Sequence, residues 1–197
     1  LYTHVISAAN GGYGIVTNLY AYVALLLVLL TFGMETTFFR FANKEDEEPD
    51  TVFSTSFAVT AGLSAIFLTG ILGFITPISE LMGYADHPEY IMVMATVVAL
   101  DAIQALPFCY LRYKKKAIKF ASLKLLFIAL NIGLNLLYFV YLGKTDVLYV
   151  FMLNLACTGI ITFFFLPELA RIKWKVDFQL LGRMLSYSWP VLILGIA

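Results

Sequence analysis

Ionisable and amide side chains inside long apolar runs are the residues of this chain that could do chemistry. Asp101 sits in "MVMATVVALDAIQALPFCYLRYKKK", twelve positions after Glu89 and ten before Leu111. Gln104 lies at i+3, on the same helical face. Glu35 and Arg40 stand in "FGMETTFFRF", near the end of another apolar run. Lys124, Asn131 and Asn135 share a third, with the two asparagines at i and i+4. A charge at the centre of hydrocarbon costs about 2.5–3.5 kcal/mol on insertion scales, so such groups usually face a protein interior or a water-filled cavity. Asp101 therefore has two readings, a cation- or proton-responsive group lining a cavity or a carboxyl bonded to neighbouring helices. Arg40 either snorkels to the interface or stands at a cavity mouth facing an anionic substrate. Glu35 and Lys124 fall at similar depths and would pair if their helices touch. The asparagines suit bonds between helices, worth about 1 kcal/mol each.

The elements that must position these groups are membrane spans. The chain has 197 residues, 61% of them hydrophobic and 13% charged, whereas soluble domains run at about 45–50% and about 25%. Mean hydropathy is +0.86. A spanning helix takes roughly 20 apolar residues, rising about 1.5 Å each, to cross about 30 Å of hydrocarbon. Five stretches qualify: 13–41, 52–78, 89–111, 118–142 and 147–166. Partial spans are expected at 1–9 and 187–197, so the chain reads as a fragment truncated at both ends. Alternation with period two is rare and the runs are long, which excludes barrel strands. The fold class is an all-α integral membrane bundle.

The breaks carry turn and cap residues. Gly11-Gly12 opens the first full span, Asp50 is placed to cap the second, Asp86-His87-Pro88 precedes the third and Lys144-Thr145-Asp146 the fifth. Gly70 and Gly73 suit close helix packing, and Pro107 is a kink position. Asp177–Ser186 suits a short helix along the membrane surface, within an interfacial segment covering 168–186.

Basic residues cluster in alternate loops: Arg40 and Lys44; Arg112, Lys114, Lys115, Lys116 and Lys119; Arg171, Lys173, Lys175 and Arg183. The intervening loops hold only Lys144, so the basic loops are expected in the cytoplasm.

Other chemistry finds no support. Thirteen basic residues balance thirteen acidic ones, so charge gives no argument for nucleic acid. Cys109 and Cys157 lie in apolar runs and read as packing residues. His4 and His87 stand apart, without metal-ligand spacing. With no nucleophile–base pair and no phosphate loop, neither catalysis nor a bound cofactor is expected.

Several stretches resemble bacterial polysaccharide flippases, the Wzx-type O-antigen exporters of the MOP superfamily, related to MATE exporters. "YGIVTNLYAYVALLLVLLTFGMETTFFRF" resembles the family's second helix, with Tyr13-Gly14, Gly33, Glu35 and Arg40-Phe41 in place. "LDAIQALPFCYLRYKKKA", "NIGLNLLYFVYL" and "LLGRMLSYSWPVLILGIA" resemble the fourth, fifth and the start of the seventh. The resemblance implies most of one six-helix lobe, with a second lobe of the same protein as partner. It implies an inner-membrane transporter flipping undecaprenyl-pyrophosphate-linked oligosaccharide between leaflets, amid membrane lipids and with possible coupling to H+ or Na+. Three alternatives stand beside it: a MATE-type cation-coupled drug antiporter, a membrane-embedded glycan polymerase or ligase, and a scaffold or packing subunit with no transport of its own. The short outer loops weigh against the polymerase.

The topology makes one direct prediction. In a cysteine-free background, Lys115→Cys and Asp86→Cys react with a membrane-impermeant maleimide from opposite sides of the membrane. Labelling of both from one side would contradict the five crossings.

Overall fold

The computed structural model of the chain describes residues 12–143 and 146–196. Among these residues every regular element is helical: α1 (Gly12–Thr31), α2 (Met34–Ala42), α3 (Pro49–Gly73), α4 (Ile75–Leu81), α5 (Pro88–Tyr113), α6 (Ala117–Asn135), α7 (Leu148–Leu169) and α8 (Phe178–Ile196). A π-helical turn, Leu136–Tyr141, extends α6. Five stretches are long and apolar enough to cross a membrane: Gly14–Ala42, Pro49–Gly73, Pro88–Tyr113, Ala117–Tyr141 and Leu148–Leu169. Four of them lie within three residues of the expected bounds, and the second starts at Pro49 and ends at Gly73 where 52–78 was expected. The partial span at 1–9, His4, Gly11, Lys144, Thr145 and Ala197 lie outside the described residues.

The bundle is built around α5. Of its most apolar stretch, 61% is buried within the chain, against 17–33% for the other spans. It packs chiefly on α3, α7 and α1. Outward faces carry exposed Ile66, Leu125 and Phe163, as expected where lipid replaces a protein neighbour. At the basic end Phe53 meets Tyr110 at 4.7 Å between ring centroids and Phe38 edge-on at 6.1 Å. Met34, Leu180 and Met184 close that cluster. Leu19, Tyr90, Phe139 and Phe151 fill another, toward the opposite end.

Two expected spans are broken inside. The first divides at Phe32 and Gly33, both left-handed with φ of 49° and 65°. Glycine takes that conformation without a Cβ penalty, whereas a phenylalanine there is strained. The break is stabilised locally. The Thr31 hydroxyl donates to the Val28 carbonyl at 3.2 Å, and the Thr37 hydroxyl to the Gly33 carbonyl at 3.0 Å. The second expected span ran to Ile78, but α3 stops at Gly73 and α4 begins at Ile75. Pro77 explains this: it has no N–H for the Gly73 carbonyl, and its ring crowds that carbonyl. By contrast, α5 runs unbroken through Pro107.

Other local expectations change. Asp50 does not cap α3. Glu48 precedes Pro49 and accepts the Thr51 hydroxyl at 3.1 Å, while Asp50 accepts the Tyr110 hydroxyl at 2.7 Å. A Cβ on Gly70 or Gly73 would meet nothing within 4 Å; close approach occurs instead at Gly33, against Val191 and Ser188 of α8, and at Gly195, against Val28. Tyr13 and Gly14 lie inside the first turn of α1. The surface helix and final partial span form one element, because α8 continues through Ser186 and Pro190.

Asp177 caps α8. Its carboxylate accepts the backbone N–H of Leu180 at 3.0 Å and of Gln179 at 2.8 Å. Those two bonds hold its pKa below the ordinary aspartate value. Ion pairs tie down the basic end: Lys114–Asp50 at 3.5 Å, Lys116–Glu168 at 3.0 Å, Lys119–Glu168 at 2.9 Å and Arg183–Glu47 at 2.7 Å.

Gly33 carries the testable consequence. Gly33→Ala must adopt a left-handed φ with its Cβ 3.0 Å from Val191. It lowers stability by roughly 1–3 kcal/mol, read as a fall in melting temperature in detergent. Gly70→Ala, in open space, stays within about 0.5 kcal/mol of wild type.

Candidate functional site

One face of α5 supplies the largest share of a cleft. Asp101, Phe108 and Arg112, with Gln104 and Ala105 three and four positions after Asp101, recur at helical spacing and so share a stripe. Glu35 of α2, Leu27 of α1, Ile161 of α7, and Phe120, Lys124 and Phe127 of α6 complete the lining of a cavity of about 390 Å³. Two carboxylates and two cations thus line a largely aromatic and aliphatic wall.

At one end α5 is bonded to α7. Gln104, 6% exposed, donates its amide to the Thr158 carbonyl at 2.9 Å and the Thr162 hydroxyl at 2.7 Å. Thr158 donates its own hydroxyl to Asp101 at 3.1 Å. One turn away on α7, Asn154 donates to the Tyr20 hydroxyl of α1 at 3.2 Å. Asn154, Thr158 and Thr162 recur at i+4, so α7 answers the polar stripe of α5 with its own. Asp101 thus both lines the cleft and bonds to a neighbouring helix.

At the other end Arg112 lies 3.7 Å from Glu35. It donates to the Cys109 sulfur at 3.1 Å, and the Cys109 thiol donates to Glu35 at 3.3 Å. The guanidinium sits 5.2 Å from the Phe39 ring centre and 5.8 Å from that of Phe120. The side chains of Arg112 and Glu35 are 48% and 44% exposed. An ion pair that open is worth at most about 1 kcal/mol, so an arriving anion can compete for Arg112. Lys124 rests its ammonium 4.0 Å above Phe108, within electrostatic reach of Asp101. The arrangement can hold an anionic group between Arg112 and Lys124. It also places a carboxylate, Asp101, where a cation or proton can reach it.

Of the sequence-derived candidates, Glu35, Asp101, Gln104 and Lys124 meet at the cleft. Glu35 pairs with Arg112 and not with Lys124. Arg40 lies elsewhere, exposed on α2 with its guanidinium 4.1 Å over the Tyr187 ring of α8. Asn135 donates within its own helix, to the carbonyl and side-chain oxygens of Asn131 at 2.7 and 3.2 Å, and neither asparagine lines the cleft. Sequence reasoning missed Arg112 as a cleft residue because it stood among the basic residues that mark a helix exit. The signal was available: Arg112 follows Asp101 by eleven positions, close to three helical turns.

A family model described as "Polysaccharide biosynthesis protein" matches residues 9–197, almost the whole chain. No curated protein and no solved structure matches it.

The α5–α7 bond can be tested without a transport assay. Gln104→Leu removes both amide donations and lowers stability by about 1 kcal/mol. Asp101→Asn, which keeps an acceptor for Thr158, costs less in the same thermal unfolding measurement in detergent. Equal effects from the two would place the seam elsewhere.

Proposed function

We propose, from the premise that this chain belongs to the polysaccharide biosynthesis protein family, that it forms one lobe of a flippase. Its substrate is an undecaprenyl-pyrophosphate-linked oligosaccharide, carried between the leaflets of the bacterial inner membrane. The remainder of the same protein supplies a second lobe, and the basic loops face the cytoplasm.

The observation that supports this reading most is the charged cleft among apolar helices. Sugar hydroxyls and pyrophosphate cannot enter hydrocarbon without losing their water. A cavity holding Arg112, Lys124, Gln104 and Asp101 replaces part of that hydration, while the lipid tail stays in the bilayer. Arg112 is the stronger candidate for the pyrophosphate, since its planar guanidinium can donate two parallel bonds and its ion pair with Glu35, at 3.7 Å, is open to exchange. Glu35 released from Arg112, or Asp101 beside Thr158, would take H+ or Na+. Coupling then follows if the ion binds one state of the cleft more tightly than the other. Asp101 in a wall of Phe108, Phe120 and Phe127 also suits an organic cation, which supports a drug antiporter as the second reading.

The test uses the full-length protein in a strain whose surface polysaccharide depends on it. Arg112→Gln or Lys124→Gln each removes one charge-assisted contact to phosphate, so export falls roughly tenfold. Arg40→Gln, outside the cleft, leaves export near wild type. Unchanged polysaccharide in both cleft variants, or drug resistance lost while polysaccharide persists, defeats the flippase reading.

A further inference from the structure

The basic end of the bundle holds a second polar recess, separate from the cleft. It measures about 100 Å³ and is lined by Tyr110, Lys114, Lys116, Glu168, Arg171 and Ile172. Lys114 is paired with Asp50, and Glu168 is shared between Lys116 and Lys119. Counting Lys119, four cations meet two carboxylates here. Arg171 has no carboxylate within ion-pair distance among the described residues.

Two further features add to the positive field. α6 begins at this point with Lys116 at its N-cap and no side-chain acceptor on its first amides, an arrangement that favours a negative group. The segment after α7 alternates basic and apolar residues: Arg171, Ile172, Lys173, Trp174, Lys175, Val176. Ile172 is buried and Trp174 packs edge-on against Phe57 at 5.3 Å. Arg171, Lys173 and Lys175 are exposed. Ile172 and Trp174 hold the segment against the bundle, Trp174 against Phe53 and Phe57 of α3, and Arg171 lines the recess. Topology requires basic residues in these loops but not their convergence, from two loops far apart in sequence, around a pocket of phosphate size.

We infer that this recess binds a phosphate group, with Arg171 as the cation left to contact it. The same chemistry is offered by an anionic phospholipid headgroup or by free phosphate. The surroundings favour the lipid: Ile118 and Phe178, at the starts of α6 and α8, are apolar yet 86% and 80% exposed, and apolar side chains beside basic ones suit an anionic bilayer surface. The inference does not depend on transport, and an export assay does not read it.

The experiment uses the full-length protein in phosphatidylcholine nanodiscs, with thermal unfolding and native mass spectrometry as readouts. Added phosphatidylglycerol raises the melting temperature and is retained on the protein. Arg171→Gln weakens that retention about fivefold, as expected for one basic residue at an anionic surface. Arg171→Lys keeps most of it. Lys44→Gln, a basic residue at the same end but outside the recess, leaves it unchanged. Stabilisation by inorganic phosphate in pure phosphatidylcholine, lost in Arg171→Gln, supports the site with free anion as its source. Response to phosphatidylglycerol alone supports it with lipid as the source. Equal losses in Lys44→Gln and Arg171→Gln show diffuse attraction and overturn the recess, as does no response to either anion.

Discussion

A polar group at membrane depth must find its partners inside the chain, and α5 is arranged around that requirement. Lipid offers no hydrogen bonds, so an unpaired amide or carboxyl there costs several kcal/mol by order of magnitude. Gln104 and Asp101 meet this constraint by drawing α7 against α5 through Thr158 and Thr162. Apolar contact alone would not choose α7 over any other helix, because lipid tails are as apolar as leucine. The bonded seam fixes α7 as a neighbour of α5, and the remaining face of the same stripe opens as the cleft. Structure and site thus share one set of residues.

Much of the fold was legible in the sequence, since a bilayer converts length and apolarity directly into spans. The five crossings needed little beyond counting. The breaks needed more. Pro77 forbade continuity across Gly73, yet the run to Ile78 looked uninterrupted because Phe74 and Ile75 are as apolar as their neighbours. The left-handed pair at Phe32 and Gly33 was marked only by a glycine that also fits an ordinary helix. Glycines mislead in the other direction too: Gly70 and Gly73 face open space, and the tight approaches fall at Gly33 and Gly195.

The site was half legible for a related reason. Ionisable residues deep in a span declare themselves by their cost, which is why Glu35, Asp101 and Lys124 could be singled out. Near a helix end that cost vanishes, so Arg40 and Arg112 look equivalent in sequence. Packing separates them. Arg112 shares the stripe of Asp101 and turns inward to Glu35, whereas Arg40 turns to Tyr187 on α8. Asn135 of α6 donates to the backbone carbonyl of Asn131 one turn back, a bond that the i, i+4 spacing permits within a single helix.

The interruption at Phe32 and Gly33 has a mechanical meaning. Below it, α2 is a short rod of nine residues carrying Glu35 on one side and Thr37 on the other. Thr37 meets Ser188 of α8 at 2.6 Å, while Glu35 reaches across to Arg112. This one short rod therefore joins the Glu35–Arg112 ion pair to the Thr37–Ser188 contact, so α8 is tied to the charged cleft through α2 although it contributes no side chain to the cleft wall.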